Sequence, residues 1–203
     1  MALNSDLPKV IQGQKVFLRD FIVADIENFI RWETVETEWQ KWDAPWEAEN
    51  GEPFDPVSYQ NRMLERLAIA KSSNQIRRNF QICIKDQTEK HIGWINAYYI
   101  DENFSYTKLP GKLAIGIDIP ELQNRRQGYA SEAWSLYIDY LLENEVEEVY
   151  TQTWSGNLPV IGLMNKLGFV EVNRQKNLRQ VRGKLYDGLT FKLDVDKFRE
   201  FKT

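Results

Sequence analysis

A short basic run with one glycine, Arg125-Arg126-Gln127-Gly128, lies between a strand pattern and a helix pattern, and it has the composition of an anion site. Unpaired backbone N–H groups and the positive end of the helix dipole collect at a helix N-terminus, so an anion such as a pyrophosphate fits there. Gly128 lets the backbone approach that anion closely. Just upstream, Asp118 and Glu121 offer carboxylates. Farther back, Trp39, Trp42 and Trp46 place three indoles within eight residues, beside Asp43 and Glu47. Such an acidic and aromatic set suits a cation, through charge and through the faces of the rings.

The elements that must position these groups follow from periodicity. Leu113, Ile115, Ile117 and Ile119 alternate with Ala114, Gly116 and Asp118, the period of two of a strand. Asp118 therefore shares a face with two small residues. Ala130, Ala133, Trp134, Tyr137, Ile138 and Leu141 form one apolar stripe of an amphipathic helix. Before this unit, the pattern predicts a strand from Val16 to Arg19 and a short helix from Asp25 to about Glu33. A largely irregular stretch follows, punctuated by Pro45, Gly51, Pro53 and Pro56. Asp55-Pro56 then opens a helix to about Lys71, with Tyr59, Met63, Leu67 and Ala70 as its stripe. Two strands, Phe80 to Lys85 and Ile92 to Ile100, are joined by the polar turn Asp86 to Lys90.

Downstream, Val149 to Trp154 alternates as a strand, and Asn157 caps a helix that ends at Lys166-Leu-Gly168. Two last strands follow from Phe169, turning near Arg182-Gly183-Lys184. The expectation is a single mixed α/β domain over residues 1–203, with its core at about 13–194. It has a six- to seven-stranded mixed sheet and about four helices. Its central β-α-β unit is a right-handed parallel crossover.

Composition narrows the function. The chain has 203 residues, 42% hydrophobic and 28% charged, as in a soluble globular domain. No apolar run approaches the roughly 18 residues of a membrane span, so no membrane partner is expected. Met1-Ala-Leu-Asn-Ser-Asp6 lacks the basic and apolar regions of a secretory signal, and Cys83 is the single cysteine. Both point to a cytoplasmic location. His91 is the single histidine, which excludes a multi-histidine metal site, and no metal is expected. A net charge of −4 argues against nucleic acid and accords with a cationic substrate. No Gly-Lys-Ser/Thr triplet or Gly-x-Gly-x-x-Gly pattern supports a Walker or Rossmann nucleotide site.

With these residues in place, Arg125-x-x-Gly128-x-Ala130, after a strand and opening a helix, resembles the acyl-CoA motif of the GNAT N-acetyltransferases. Asn157, 27 residues after Ala130, and Lys166-Leu-Gly-Phe169 are similar to the family's next strand–helix unit. Val16-Phe-Leu-Arg19 with Asp25, and Val181 to Asp187, resemble the ribosomal-protein N-terminal acetyltransferase branch. Gly116-Ile-Asp118 with the tryptophan-rich segment resembles aminoglycoside N-acetyltransferases.

The resemblance implies acetyl-CoA as cofactor. Its pyrophosphate would lie on the backbone N–H groups of Arg126, Gln127, Gly128, Tyr129 and Ala130, with Ser131, and Arg125 or Arg126 would contact a phosphate. Ile117 and Ile119 would offer strand backbone to the pantetheine arm. Asn157 would contact the cofactor, order the thioester region, cap its helix, or combine these. It further implies an amine-bearing acceptor, whether a protein N-terminus, a polyamine or an aminoglycoside, and a homodimer. A protonated amine must lose a proton at or before attack, and a carboxylate within reach can take it. Asp118 is the first candidate base, because Ala114 and Gly116 leave space on its face, and Glu121 is the second. A strand backbone N–H would polarise the carbonyl. Trp39, Trp42 and Trp46 are the candidate acceptor-side residues. The family's tyrosine and serine general acids fall at Met164 and Val160, so that role is open, and the same departure favours the rival reading of a non-catalytic acyl-CoA sensor.

Overall fold

The computed structural model describes residues 10–69 and 76–202. Met1 to Asp6, and the expected helical positions Ala70 and Lys71, lie outside the described residues. Strands β1 (Val10–Gln12) and β2 (Val16–Arg19) open the chain. Helix α1 (Asp25–Thr34), a 3-10 turn (Thr37–Lys41), and helices α2 (Pro45–Asn50) and α3 (Pro56–Ala68) follow. Next come β3 (Asn79–Ile84), β4 (His91–Ile100), β5 (Tyr106–Thr107) and β6 (Lys112–Asp118). A 3-10 turn (Leu122–Asn124) leads to α4 (Tyr129–Glu143), β7 (Val149–Trp154) and α5 (Leu158–Lys166). The hairpin β8 (Phe169–Val181) and β9 (Lys184–Leu193) precedes α6 (Val195–Lys202).

All nine strands among the described residues join one mixed sheet in the order β1-β2-β3-β4-β6-β7-β9-β8, with β5 beside β4. The mixed α/β class and the central crossover are as expected. The strand count is higher because two short edge strands, β1 and β5, carry too few residues to show a period. Six helices form where about four were expected. Helix α2 lies in the stretch expected to be irregular: Pro45 presets φ for a first helical turn and Gly51 stands just past its end. Helix α6 was also missed. Asp194 Oδ1 accepts from the Lys197 N–H at 3.2 Å, and Phe198 is buried beneath the helix.

The main core lies between the sheet and α4, where Ile82, Ile95 and Ile115 meet Ala133, Trp134, Tyr137, Ile138 and Leu141. Ala114, on the other face of β6, joins Ile100 and Tyr150 instead, as the strand period requires. β6 is held to β4 along its length, from Ile100–Lys112 to Trp94–Asp118. On its other side it pairs with β7, in parallel, at Leu113–Val149 and Ala114–Tyr150 only. Beyond those pairs the two strands part, which leaves a wedge in the middle of the sheet.

α1 is fixed to the sheet by a buried ion pair. Arg19 donates to Asp25 at 2.6 and 2.7 Å, the Ile22 N–H at 2.9 Å, and His91 Nδ1 lies 3.1 Å away. Burial alone would raise the Asp25 pKa, but the Arg19 fork and His91 hold it well below the usual carboxylate range. A lowered folded-state pKa contributes stability above the unfolded value and loses it as pH falls. Asp25→Ala leaves Arg19 buried and unpaired, so a loss of about 3 kcal/mol is expected in urea unfolding at pH 7. That loss shrinks as pH falls below 4, and a pH-independent loss would assign the defect to packing instead.

Candidate active site

α4 begins where the sequence places it, with a left-handed backbone immediately before it: φ is +61° at Arg126 and +85° at Gly128. At Gly128 an added Cβ would meet only the Lys15 ammonium, at 3.3 Å, so glycine is required there by backbone conformation rather than by crowding. Lys15 Nζ donates to the Gln127 carbonyl at 3.2 Å. Glu132, in the first turn of α4, accepts from the Lys15 backbone N–H at 2.9 Å and also from that of Gln14. The β1–β2 turn thus delivers a cation to the loop. Lys15 escapes sequence reading because no local pattern links it to a loop more than a hundred residues away.

The two arginines separate. Arg125 donates to the Ile119 and Pro120 carbonyls at 2.8 and 2.9 Å and to Glu38 at 2.8 Å, so it braces the loop and its donors are engaged. Arg126 is exposed and lines the cavity, with no carboxylate partner among the described residues. Ser131 and Ala130 line the cavity as well, and Lys166 Nζ lies 3.4 Å from Ser131 Oγ. Gln127 and Tyr129 are not in its wall. Gln127 is exposed and Tyr129 packs against the core, so what they offer the loop is backbone.

From this loop a cavity of about 460 Å³ runs into the wedge. Gly116, Ile117, Asp118 and Ile119 line one side, and Thr151, Gln152 and Thr153 the other. Asn157 caps α5, its Oδ1 accepting from the Val160 N–H at 3.4 Å. Its amide also donates to the Trp42 carbonyl at 3.1 Å, and Trp154 Nε1 donates to the same oxygen at 2.8 Å. Asn157 is therefore both a cap and part of the cavity wall. Met164 is fully buried and outside that wall, while Val160 contributes to it.

The cavity also carries acidic side chains. Asp118 and Asp43 both line it. Burial raises the Asp118 pKa well above the ordinary carboxylate value, as do the charges of Asp43 and Glu33, while Arg125 opposes them. Asp43 is pushed up to about 6 by burial and by Glu47 and Glu33. Asp118 is half-buried, whereas Asp43 is open to solvent where it lines the cleft, although protein crowds around it. Glu121 is placed differently. It is buried outside the cavity wall, accepting from Arg31 at 2.5 Å, Lys90 at 2.7 Å and Trp32 Nε1 at 3.3 Å. Burial would raise its pKa, but these donors hold it down at about 2. A carboxylate so engaged is a poor base, and its role here is to tie α1, β4 and the loop after β6 together.

The tryptophans also divide. Trp39 is buried, donating to the Trp32 carbonyl at 2.9 Å and set edge-on to Trp94 at 5.3 Å, with part of its ring on the cavity. Trp42 donates to Glu38 at 2.9 Å and lines both this cavity and a second pocket of about 370 Å³ next to it. Trp46 lines only the second pocket. A left-handed loop at a helix N-terminus, a wedge open to strand backbone, and carboxylates of raised proton affinity can together hold a long anionic cofactor and take up a proton.

Comparison with known proteins agrees with this geometry. Residues 15–170 match the acetyltransferase (GNAT) domain family, and no curated protein sequence matches the chain. A GNAT-family acetyltransferase from Bacillus anthracis has a similar fold, with a TM-score of 0.66 at 16% identity over 91% of this chain and 98% of that one. A ribosomal-protein alpha-N-acetyltransferase (RimL) in complex with coenzyme A gives 0.66 at 12% identity, over 93% and 100%. A chimeric spermidine N-acetyltransferase built in part from Vibrio cholerae gives 0.62 at 13%, over 92% and 99%. With the family match spanning most of its length, the chain belongs to the GNAT acetyltransferases.

Proposed function

We propose that this acetyltransferase moves the acetyl group of acetyl-CoA onto a primary amine by direct attack, with Asp118 as the base. The observation that carries this reading is the parting of β6 and β7 beyond Ala114–Tyr150, with the Gly128 loop and Asp118 both lining the opening. Acetyl-CoA fits these residues. Loop N–H groups, Arg126 and Lys15 would hold the phosphates, and the β6 backbone at Ile117 and Ile119 would receive the pantetheine arm. Acetyl-CoA supplies a thioester whose thiol leaves readily, with a pKa near about 8.5.

Asp118 accepts the ammonium proton of the acceptor. Burial and the neighbouring carboxylates raise its proton affinity, which narrows the gap to an amine near about 8 to 10. That first proton passes on to solvent; after attack the nitrogen sheds a second proton to the same carboxylate, which hands it to the departing sulfur, so coenzyme A leaves as the thiol and one residue serves both roles. This accounts for Met164 and Val160 standing where other members of the family have a proton donor. Asp43 faces both cavities and attracts the ammonium. The acceptor is a protein N-terminus or a small cationic amine, in keeping with the ribosomal-protein and spermidine acetyltransferases of the same fold.

Thiol release from acetyl-CoA across a panel of peptides, polyamines and aminoglycosides tests the reading. Turnover with at least one class is expected, whereas coenzyme A binding without turnover on any amine would leave a sensor. Gly128→Val forces a β-branched residue into a left-handed conformation, costing about 1–2 kcal/mol locally. It should weaken coenzyme A roughly tenfold by misdirecting the loop N–H groups; unchanged affinity by calorimetry would remove the phosphate-loop assignment. Asp118→Asn should lower kcat by about a hundredfold with coenzyme A affinity retained. In the wild-type enzyme kcat should rise with pH through the raised Asp118 pKa, and this limb should vanish in the variant. Wild-type turnover by Asp118→Asn would eliminate Asp118 as base.

A further inference from the structure

The second pocket, of about 370 Å³, meets the cofactor cavity at Trp42, Asp43, Gln152 and Thr153, and the chemistry of its walls is uneven. At the junction stands Asp43. On the β8 side stands Arg179, its guanidinium 4.4 Å from the centre of the Trp46 ring. Among the described residues lining this pocket, Asp43 and Arg179 are the charged ones, one of each sign. Nearby arginines are engaged elsewhere: Arg174 with Glu171 and Asp187, and Arg182 with the Lys41 carbonyl. Arg179 has no carboxylate partner among the described residues.

The backbone is shaped to put Arg179 there. β8 pairs with β9 at Gln175–Gly188 and again at Arg179–Tyr186, so three residues of β8 oppose the single Asp187 between those pairs. Asn177 is left-handed at φ +54°, and its N–H donates to Asp187 Oδ1 at 3.0 Å. Leu178 closes over Gly188, where an added Cβ would come within 2.4 Å of its side chain. A bulge of this kind re-aims the residues around it, and here Leu178 and Arg179 both join the pocket wall.

We propose that the second pocket receives an acceptor whose own molecule carries an anionic group, the amine going to Asp43 and the anion to Arg179. This rests on the acetyl-transfer reading for what happens at the amine. A guanidinium over an indole face, with no carboxylate partner among the described residues, keeps donors available for bonding to a carboxylate or phosphate. The same cation covers the Trp46 ring that a bare polycation would otherwise use, and it repels a second ammonium. The pocket therefore selects against polyamines.

The test compares alanyl-glutamate amide, alanyl-glutamine amide and alanyl-lysine amide as acceptors, with phosphoethanolamine against ethanolamine to separate phosphate from carboxylate. For the wild type, kcat/KM should favour an anionic acceptor over its neutral partner by about tenfold, mostly through KM. Arg179→Gln should abolish that preference, Arg179→Glu should reverse it toward the lysine amide, and Arg179→Lys should restore part of it. Binding of the same compounds to the coenzyme A complex, followed by calorimetry, is read in parallel, and coenzyme A affinity reports that each variant is folded. Selective binding lost in Arg179→Gln, without turnover by any variant, would support the pocket assignment and overturn acetyl transfer. Equal preference in wild type and Arg179→Gln, or binding of none of these compounds, would overturn the pocket assignment.

Discussion

Everything at the centre of this molecule depends on two strands that stop pairing. β6 and β7 are parallel neighbours for two residue pairs and then diverge, while β4 on one side and β9 on the other keep them in place. Buried backbone left without a partner is costly, and a sheet interrupted at its middle must either repair the gap or fill it. The opening leaves strand backbone available to an extended molecule, and residues of both strands, Gly116 and Asp118 of β6 and Thr151 and Thr153 of β7, line the same space. The loop ahead of α4 and the carboxylates Asp118 and Asp43 become one site because they line this same gap.

The gap is kept open by polar fastenings more than by apolar ones. Glu121 joins Arg31 of α1, Lys90 before β4 and the indole of Trp32, so the chain leaving β6 is anchored on the helical layer. Arg125 takes up the next part of the same loop through two carbonyls and Glu38. Buried charge is tolerated here because each group meets several partners, the condition under which ion pairs do not cost stability. Carboxylates with fewer partners, Asp43 and Asp118 among them, have their proton affinity raised instead. Structure and reactivity are thus divided between acidic residues only a few positions apart in sequence.

Periodicity revealed most of the fold, because β6, α4, β7 and β9 each bury one face and their apolar residues fall on it. The loop ahead of α4 was equally legible, since its glycine sits at a strand-to-helix junction where left-handed backbone is needed. What was not legible depended on distance along the chain. Glu121 and Asp118 look alike in sequence and differ only because Arg31, Lys90 and Trp32 come to one of them from elsewhere. Arg125 and Arg126 are adjacent and alike, yet one is consumed by carbonyls. Lys15 and Arg179 carry no local signature, and α2 was hidden because a proline that opens a helix reads in sequence as one that prevents it.

One carbonyl links the two halves of the site. The Trp42 oxygen accepts both from the Trp154 indole at the end of β7 and from the Asn157 amide that caps α5. Trp42 itself borders both the cofactor cavity and the outer pocket. The Trp42 segment is therefore coupled directly to the end of β7 and to the start of α5. With one peptide plane shared by both walls, neither cavity has to form before the other, so the fold imposes no order on their filling.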